Sequence, residues 1–190
     1  MSKEEQLIAE FNALRAEIIL LYSRRSTRLT VCWTGLSLVF AGAAAAKMPE
    51  LTLLSIFIVS SAWIDDAYSF FLIQRIGAYI KVCLESELSG INWESSIDEA
   101  SNITGYYKGY SNLLHCLSYK YSLSLLISII GVVLFYFSFP MKLLGFGVTF
   151  LLILGFSIVL VILAIVKSYL AGKSKQIWEN AFKSALNKSK

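Results

Sequence analysis

Three stretches of this chain, residues 29–46, 121–139 and 143–166, contain no Asp, Glu, Lys or Arg. Nothing else in the sequence limits the fold as strongly. A helix needs about 20 mostly apolar residues to cross roughly 30 Å of hydrocarbon. A fourth run, residues 51–73, is long enough but carries the adjacent Asp65 and Asp66. Such runs in a chain of 190 residues leave too little sequence for a soluble core. Composition agrees. The chain is 56% hydrophobic, with mean hydropathy +0.64, against about 45–50% apolar residues in ordinary globular domains. The expected fold class is an all-α integral membrane protein, with four transmembrane helices in two hairpins and a helical cytoplasmic bundle.

The expected segments follow from the runs. Residues 1–28 form an N-terminal amphipathic helix and 29–73 the first transmembrane hairpin. Residues 74–120 form a cytoplasmic helical segment, 121–166 the second hairpin, and 167–190 a basic C-terminal helix. The first run is preceded by 28 residues carrying both signs of charge. That is unlike the short basic leader of a cleavable signal peptide, so the first span is expected to be retained.

Lys and Arg set the orientation. Four spans put both termini and the middle segment on one side, with 15 of the 17 cations. Only Lys47 and Lys142 fall on the other side, in the short turns "AKMPE" and "FPMK". The expectation is a membrane protein with both termini cytoplasmic. Pro49 and Pro140 stand where a helix should stop. The external side is almost bare, so recognition is expected from the cytoplasm or within the bilayer.

The cytoplasmic parts read as helices. Leu7, Phe11, Leu14, Ile18 and Leu21 repeat at steps of four and three, one helical stripe. It serves either to pack on this chain's own helices or as a self-association stalk. No Gly or Pro precedes Gly35, so this helix can run unbroken into the first span. Ile76, Ile80, Leu84 and Leu88 extend the second span, and Gly90 is a plausible stop. "SIDE" at 96–99 predicts a capping box that opens a further helix. That helix carries Ile103, Tyr106, Tyr107, Tyr110 and Leu114, with Gly105 and Gly109 weakening it. The basic tail places Trp178, Phe182, Ala185 and Leu186 on one face. That face suits either an anionic leaflet or the other cytoplasmic helices.

Motifs for chemistry are missing. The chain has no P-loop, GxGxxG, GxSxG, HExxH or DxDxT pattern. Cys32, Cys83 and Cys116 are far apart, and His115 is alone, so no metal or cofactor site is expected. Glu85, Glu87, Glu94, Asp98 and Glu99 read as a solvated acidic helix face. Trp93 suits an interfacial anchor or packing under its loop. Alternatively it lines a ligand pocket with Tyr106, Tyr107 and Tyr110. "AGAAAA" at 41–46 permits close helix approach, within the chain or between copies. A homo-oligomer is therefore expected.

"SAWIDDAYSF" at 61–70 puts two carboxylates in the second run. They lie about 22 Å along a helix that starts near Leu51, leaving about 8 Å of a roughly 30 Å core. Arg24, Arg25 and Arg28 reach the same depth where the first span begins. An Asp–Arg pair between spans one and two is the leading reading. Lining an inner vestibule, or an early end to the span, are the others. Adjacent helical residues point about 100° apart, so both carboxylates cannot face one partner.

The patterns "FNALRAEIILLYSRR" and "RIGAYIKVCLESELSGINWE" together resemble small multi-pass proteins of bacterial anti-phage defence loci. The matching residues are Leu14, Arg15, Ala16, Glu17, Ile18, Trp63, Arg75, Ile76, Gly77, Tyr79, Ile80, Glu85, Trp93 and Glu94. They span roughly residues 11 to 95, about half of the chain. The resemblance implies one of two roles, neither catalytic. Retron-type and CBASS-type membrane effectors oligomerise and permeabilise the inner membrane on a cytosolic signal, which can be a small nucleotide. Kiwa-like four-span proteins act instead as membrane sensors or scaffolds for a cytosolic partner protein. Arg75, Tyr79, Glu85, Trp93 and Glu94, with the three tyrosines, are then the candidate ligand or partner surface. Direct nucleic-acid binding is not expected of this chain. A small oligomeric ion channel or transporter with a housekeeping role is the alternative, with Asp65 and Asp66 as its polar residues.

Overall fold

A computed structural model of the chain describes residues 2–88, 91–104, 119–138 and 146–188. The expectations placed on Gly90, Gly105, Tyr106, Tyr107, Gly109, Tyr110, Leu114, His115, Cys116 and Pro140 lie outside those residues. Among the described residues every element is helical and none is a strand. The order is α1 (Lys3–Ala46), a 3-10 turn (Pro49–Thr52), α2 (Leu53–Tyr79), a π-helical turn (Ile80–Leu84), α3 (Trp93–Thr104), α4 (Tyr119–Ser138) and α5 (Phe146–Lys188).

Among the described residues three helical stretches are long and apolar enough to cross a membrane: Lys3–Ala46, Leu53–Leu84 and Gly155–Lys188. The run at 121–139 falls on α4, whose described apolar stretch, Leu123–Val133, is shorter. α1 is unbroken over 44 residues, about 66 Å of helix. Its start is a reciprocal capping box. The Ser2 N–H donates to Glu5 Oε2 at 2.7 Å, and the Glu5 N–H donates to Ser2 Oγ at 3.1 Å. Its last residue, Ala46, lies three residues before Pro49. Lys47 takes the left-handed conformation, φ 53°. The Met48 N–H then reaches Ala43 O at 3.1 Å, and the Lys47 N–H reaches Ala44 O at 3.3 Å. This Schellman pair satisfies the last carbonyls without the usual glycine.

The chain divides into two compact units. The first is Met1–Arg25, Ala67–Cys116 and Ser168–Lys190; the second is Ser26–Asp66 and Leu117–Lys167. α1, α2 and α5 each contribute residues to both.

The first unit is built on the N-terminal stripe. Phe11, Ile18 and Leu21 are buried against Ile73, Ile76, Ile80, Leu84 and Leu88, flanked by Leu7 and Leu14. Burying each large side chain is worth about 1.5–3 kcal/mol. The stripe is thus used within the chain. So is the aromatic face of the C-terminal helix. Trp178 packs on Phe71 at 6.0 Å, and Phe182 on Tyr79 at 5.5 Å. After Tyr79 the Glu85 N–H bonds Ile80 O at 2.9 Å, one residue beyond α-helical spacing. The resulting π turn rotates the residues beyond it onto a different face.

The second unit holds two apolar clusters. Cys32, Leu36 and Val59 form one. Trp63, Tyr121 and Ala164 form the other, with the Trp63 and Tyr121 rings stacked at 6.2 Å. A methyl group at Gly131 would collide with the Phe40 ring unless that ring shifted. Of the small residues at 41–46, Ala43 is buried while Ala44, Ala45 and Ala46 are exposed. Val31 and Leu38 are also exposed, at 65% and 69%.

Candidate functional site

The charged residues of the first unit converge on α3. Glu85 lies in the turn after the π turn. Its Oε1 accepts from the N–H of Glu94 at 2.6 Å and of Ser95 at 3.3 Å, and its Oε2 accepts from the Ser95 hydroxyl at 2.5 Å. A carboxylate here satisfies orphan N–H groups and faces the positive end of the helix. This corrects the capping box expected at Ser96–Glu99. α3 begins at Trp93, and the Ser96 N–H already bonds Asn92 O at 2.9 Å. An acceptor from outside the helix takes the place of the local one.

Capping by Glu85 sets the register of the next two turns. Trp93 meets Phe11 edge to face at 6.2 Å, with the Arg15 guanidinium 5.8 Å over its ring. Glu94 and Asp98 are four apart, so they share a face. Lys175 and Glu179 have the same spacing on α5. Lys175 Nζ lies 2.9 Å from Glu94 Oε2 and 2.5 Å from Asp98 Oδ1. Lys81 Nζ lies 2.7 Å from Asp98 Oδ2 and 3.1 Å from Glu179 Oε1. Among the described residues, Lys81 and Lys175 thus each bridge two of the carboxylates Glu94, Asp98 and Glu179. The Glu94 side chain is only 9% exposed and that of Lys175 19%. Burial alone would push the Asp98 carboxyl up. Hydrogen bonds from Lys175 and Lys81, and their charges, outweigh burial and hold it below the usual aspartate range.

The acidic residues are thus not a uniformly solvated face. Glu85 caps, while Glu94 and Asp98 are paired with lysines from other helices. Glu87 and Glu99 are exposed, and Glu87 meets Lys3 at 2.8 Å. Gly77 on α2 makes room for the network: a Cβ there would stand 2.9 Å from Glu94 Oε1. Beside it lies a cavity of about 160 Å³, walled by Ile18, Ile73, Gln74, Trp93, Glu94 and Ile97 among others.

The remaining candidates separate. The Tyr79 hydroxyl donates to Glu10 Oε1 at 2.9 Å, while Arg75 is exposed. In the second unit Arg28 Nε pairs with Asp65 Oδ2 at 2.6 Å, and its Nη1 donates to Asp65 O at 3.3 Å. Asp65 is exposed, whereas Asp66 is 8% exposed, in keeping with their divergent directions. Arg25 lies over the Phe70 and Tyr22 rings at 5.3 and 5.9 Å. Arg24 is exposed. Among the described residues no three His, Cys, Asp or Glu side chains group as metal ligands.

Sequence reasoning missed Lys81, Lys175, Glu179 and Gln74. The matched four-residue spacing of Glu94/Asp98 and Lys175/Glu179 is the signal that could have linked them. No family model, curated protein or solved structure matches the chain.

Proposed function

We propose that this chain is a non-enzymatic inner-membrane component of a bacterial anti-phage defence system. It crosses the membrane four times in two hairpins with both termini cytoplasmic. The first unit receives a cytosolic signal or partner protein, and the membrane helices carry the response. One observation carries this reading: α1, α2 and α5 each contribute to both units. A change in the Lys–carboxylate network is therefore made on the same helices that hold the apolar runs. Exposed Val31 and Leu38 suit a lipid neighbour better than water. Exposed Ala44, Ala45 and Ala46 suit close approach of a second copy.

The response is either membrane perturbation by an oligomer or recruitment of a cytosolic protein. Cells expressing the chain are challenged with phage while a potential-sensitive dye is followed. Depolarisation supports the effector, and a polarised membrane with a co-purifying partner supports the sensor or scaffold. Cells that show neither, and no protection, refute the proposal.

The channel or transporter reading is favoured by Asp66, a carboxylate only 8% exposed within an apolar run. Flux through the purified protein in liposomes tests it. Flux that is absent, or unchanged by Asp65→Asn with Asp66→Asn, removes the aspartates from that role.

A further inference from the structure

α1, α2 and α5 leave the first unit at Arg25, Ala67 and Ser168. Charge is distributed unevenly at those exits. Residues 18–25, 67–80 and 168–178 hold Arg24, Arg25, Arg75, Lys173 and Lys175, and no Asp or Glu. The ten acidic residues of the unit all lie further from the exits along the chain. Two of the five cations are used inside the protein. Lys175 reaches Glu94 and Asp98, and Arg25 lies over the Tyr22 and Phe70 rings. Arg24, Arg75 and Lys173 are exposed and make no ion pair among the described residues. Water does not suit their neighbours. Leu20, Tyr22, Tyr68 and Leu170 are 50%, 47%, 60% and 52% exposed. Leu20 is one turn from Arg24 and Leu170 one turn from Lys173, while Tyr68 and Arg75, seven apart, share a face of α2. Lys173 Nζ stands 4.4 Å from the centre of the Tyr169 ring. Tyrosines mixed with Arg and Lys at the ends of apolar helices are the residues of a membrane–water interface.

We propose that this end of the first unit is a collar for anionic phospholipids. Arg24, Arg75 and Lys173 contact the phosphates, and Tyr22, Tyr68 and Tyr169 sit among the headgroups. A guanidinium meets phosphate oxygens with two parallel hydrogen bonds, and an ammonium meets them as a point charge. A zwitterionic headgroup brings its own ammonium and leaves the excess of cations uncompensated. An anionic headgroup cancels it. A free phosphate would satisfy the cations but would leave Leu20, Leu170 and the tyrosines in water. The inference rests on the reading that α1, α2 and α5 cross a membrane, and on nothing else in the proposed function.

The test uses the full chain in phosphatidylcholine vesicles with a trace of spin-labelled lipid, either phosphatidylglycerol or phosphatidylcholine. Electron paramagnetic resonance reads the fraction of each label immobilised at the protein, and hence the relative affinity. One basic residue at an anionic surface is worth about fivefold, and the average includes lipids away from the collar, so phosphatidylglycerol should be preferred at least about threefold. Raising salt from about 0.1 M to about 1 M should remove most of the preference. Arg24→Gln, Arg75→Gln and Lys173→Gln together should remove it at low salt. The salt series needs no substitution, so it keeps the test meaningful if the triple variant disturbs the fold. Lys183 and Lys188 lie on the same helix, about 15 Å or more beyond Lys173 and outside a Debye length of about 10 Å. Lys183→Gln with Lys188→Gln should therefore leave the preference unchanged. Equal affinity for the two lipids overturns the proposal. So does a preference that is indifferent to salt, that survives the triple substitution, or that falls as far in the Lys183 and Lys188 variant. If neither label is immobilised, the membrane reading itself fails, an outcome distinct from immobilisation without preference.

Discussion

Replacing Lys175 by methionine tests the charged network directly. Methionine keeps an unbranched apolar stem and removes the ammonium. Two contacts disappear, at 2.9 Å to Glu94 and 2.5 Å to Asp98. At an effective dielectric near 20, one pair at such distances has a gross attraction of about 6–7 kcal/mol. Desolvation of the three groups offsets most of it, so the gross figure is no guide to the net. The larger consequence is what remains. Glu94 keeps a side chain 9% exposed and has lost its only ion pair among the described residues. Asp98 is 26% exposed and retains Lys81. Removing one partner of a buried pair costs about 3–5 kcal/mol. The exposure and remaining partner of Asp98 place Lys175→Met at the lower end, about 3 kcal/mol. Amide hydrogen exchange of α3 reads this locally, and about 3 kcal/mol corresponds to roughly a hundredfold faster exchange. In a Glu94→Gln background only the Asp98 contact is lost, and Asp98 keeps Lys81, so the same substitution should cost about 1 kcal/mol. A coupling of about 2 kcal/mol is expected. Less than threefold faster exchange in Lys175→Met, or strict additivity with Glu94→Gln, would refute the reasoning.

Three further outcomes rest on neighbouring contacts. The Asp98 carboxyl is held below its ordinary value of 3.8, so its stabilisation is present above that value and is lost as pH falls through the lower folded value. Protection of α3 should stay level at neutral pH and weaken below about pH 4, and Asp98→Asn should remove that part of the acid response. Glu85→Ala deletes three acceptor contacts at the start of α3. A loss of about 1–2 kcal/mol is expected, read as faster exchange at the Glu94 and Ser95 amides, and unchanged exchange there would exclude a capping role. Gly77→Ala pushes a methyl onto the Glu94 carboxylate and should loosen α3. In a Glu94→Ala background it should instead stabilise α2, by up to about 1 kcal/mol of helix propensity, and thermal unfolding distinguishes the two signs.

Much of the helical frame is legible because it depends on local periodicity. Phe11, Ile18 and Leu21 announce a buried stripe, and Trp178 and Phe182 an apolar face. Both are found packed inside the chain. The partners of the charged groups are illegible for a physical reason. Lys175 is 77 residues from Asp98 and 81 from Glu94, and Glu179 is 98 from Lys81. Local pattern carries no information at that separation, so clustered acids read as solvated. The Arg28–Asp65 pair is within reach because both residues flank the same short hairpin, where depth along each helix can be counted. The left-handed Lys47 and the π turn after Tyr79 are hidden for another reason. Each depends on tertiary packing overriding residue preference, as a lysine is not a favoured left-handed residue.

The long separations also order events in time. Glu94 and Asp98 are synthesised 81 and 77 residues before Lys175. At about 5–20 residues per second they wait roughly 4–16 seconds for it. Asp98 can pair meanwhile with Lys81, made 17 residues earlier; Glu94 cannot. Every residue of α4, and the charge-free sequence run 143–166, emerges within that interval. A closed network around Lys175 is therefore a chemical record that the intervening apolar segments have already left the ribosome.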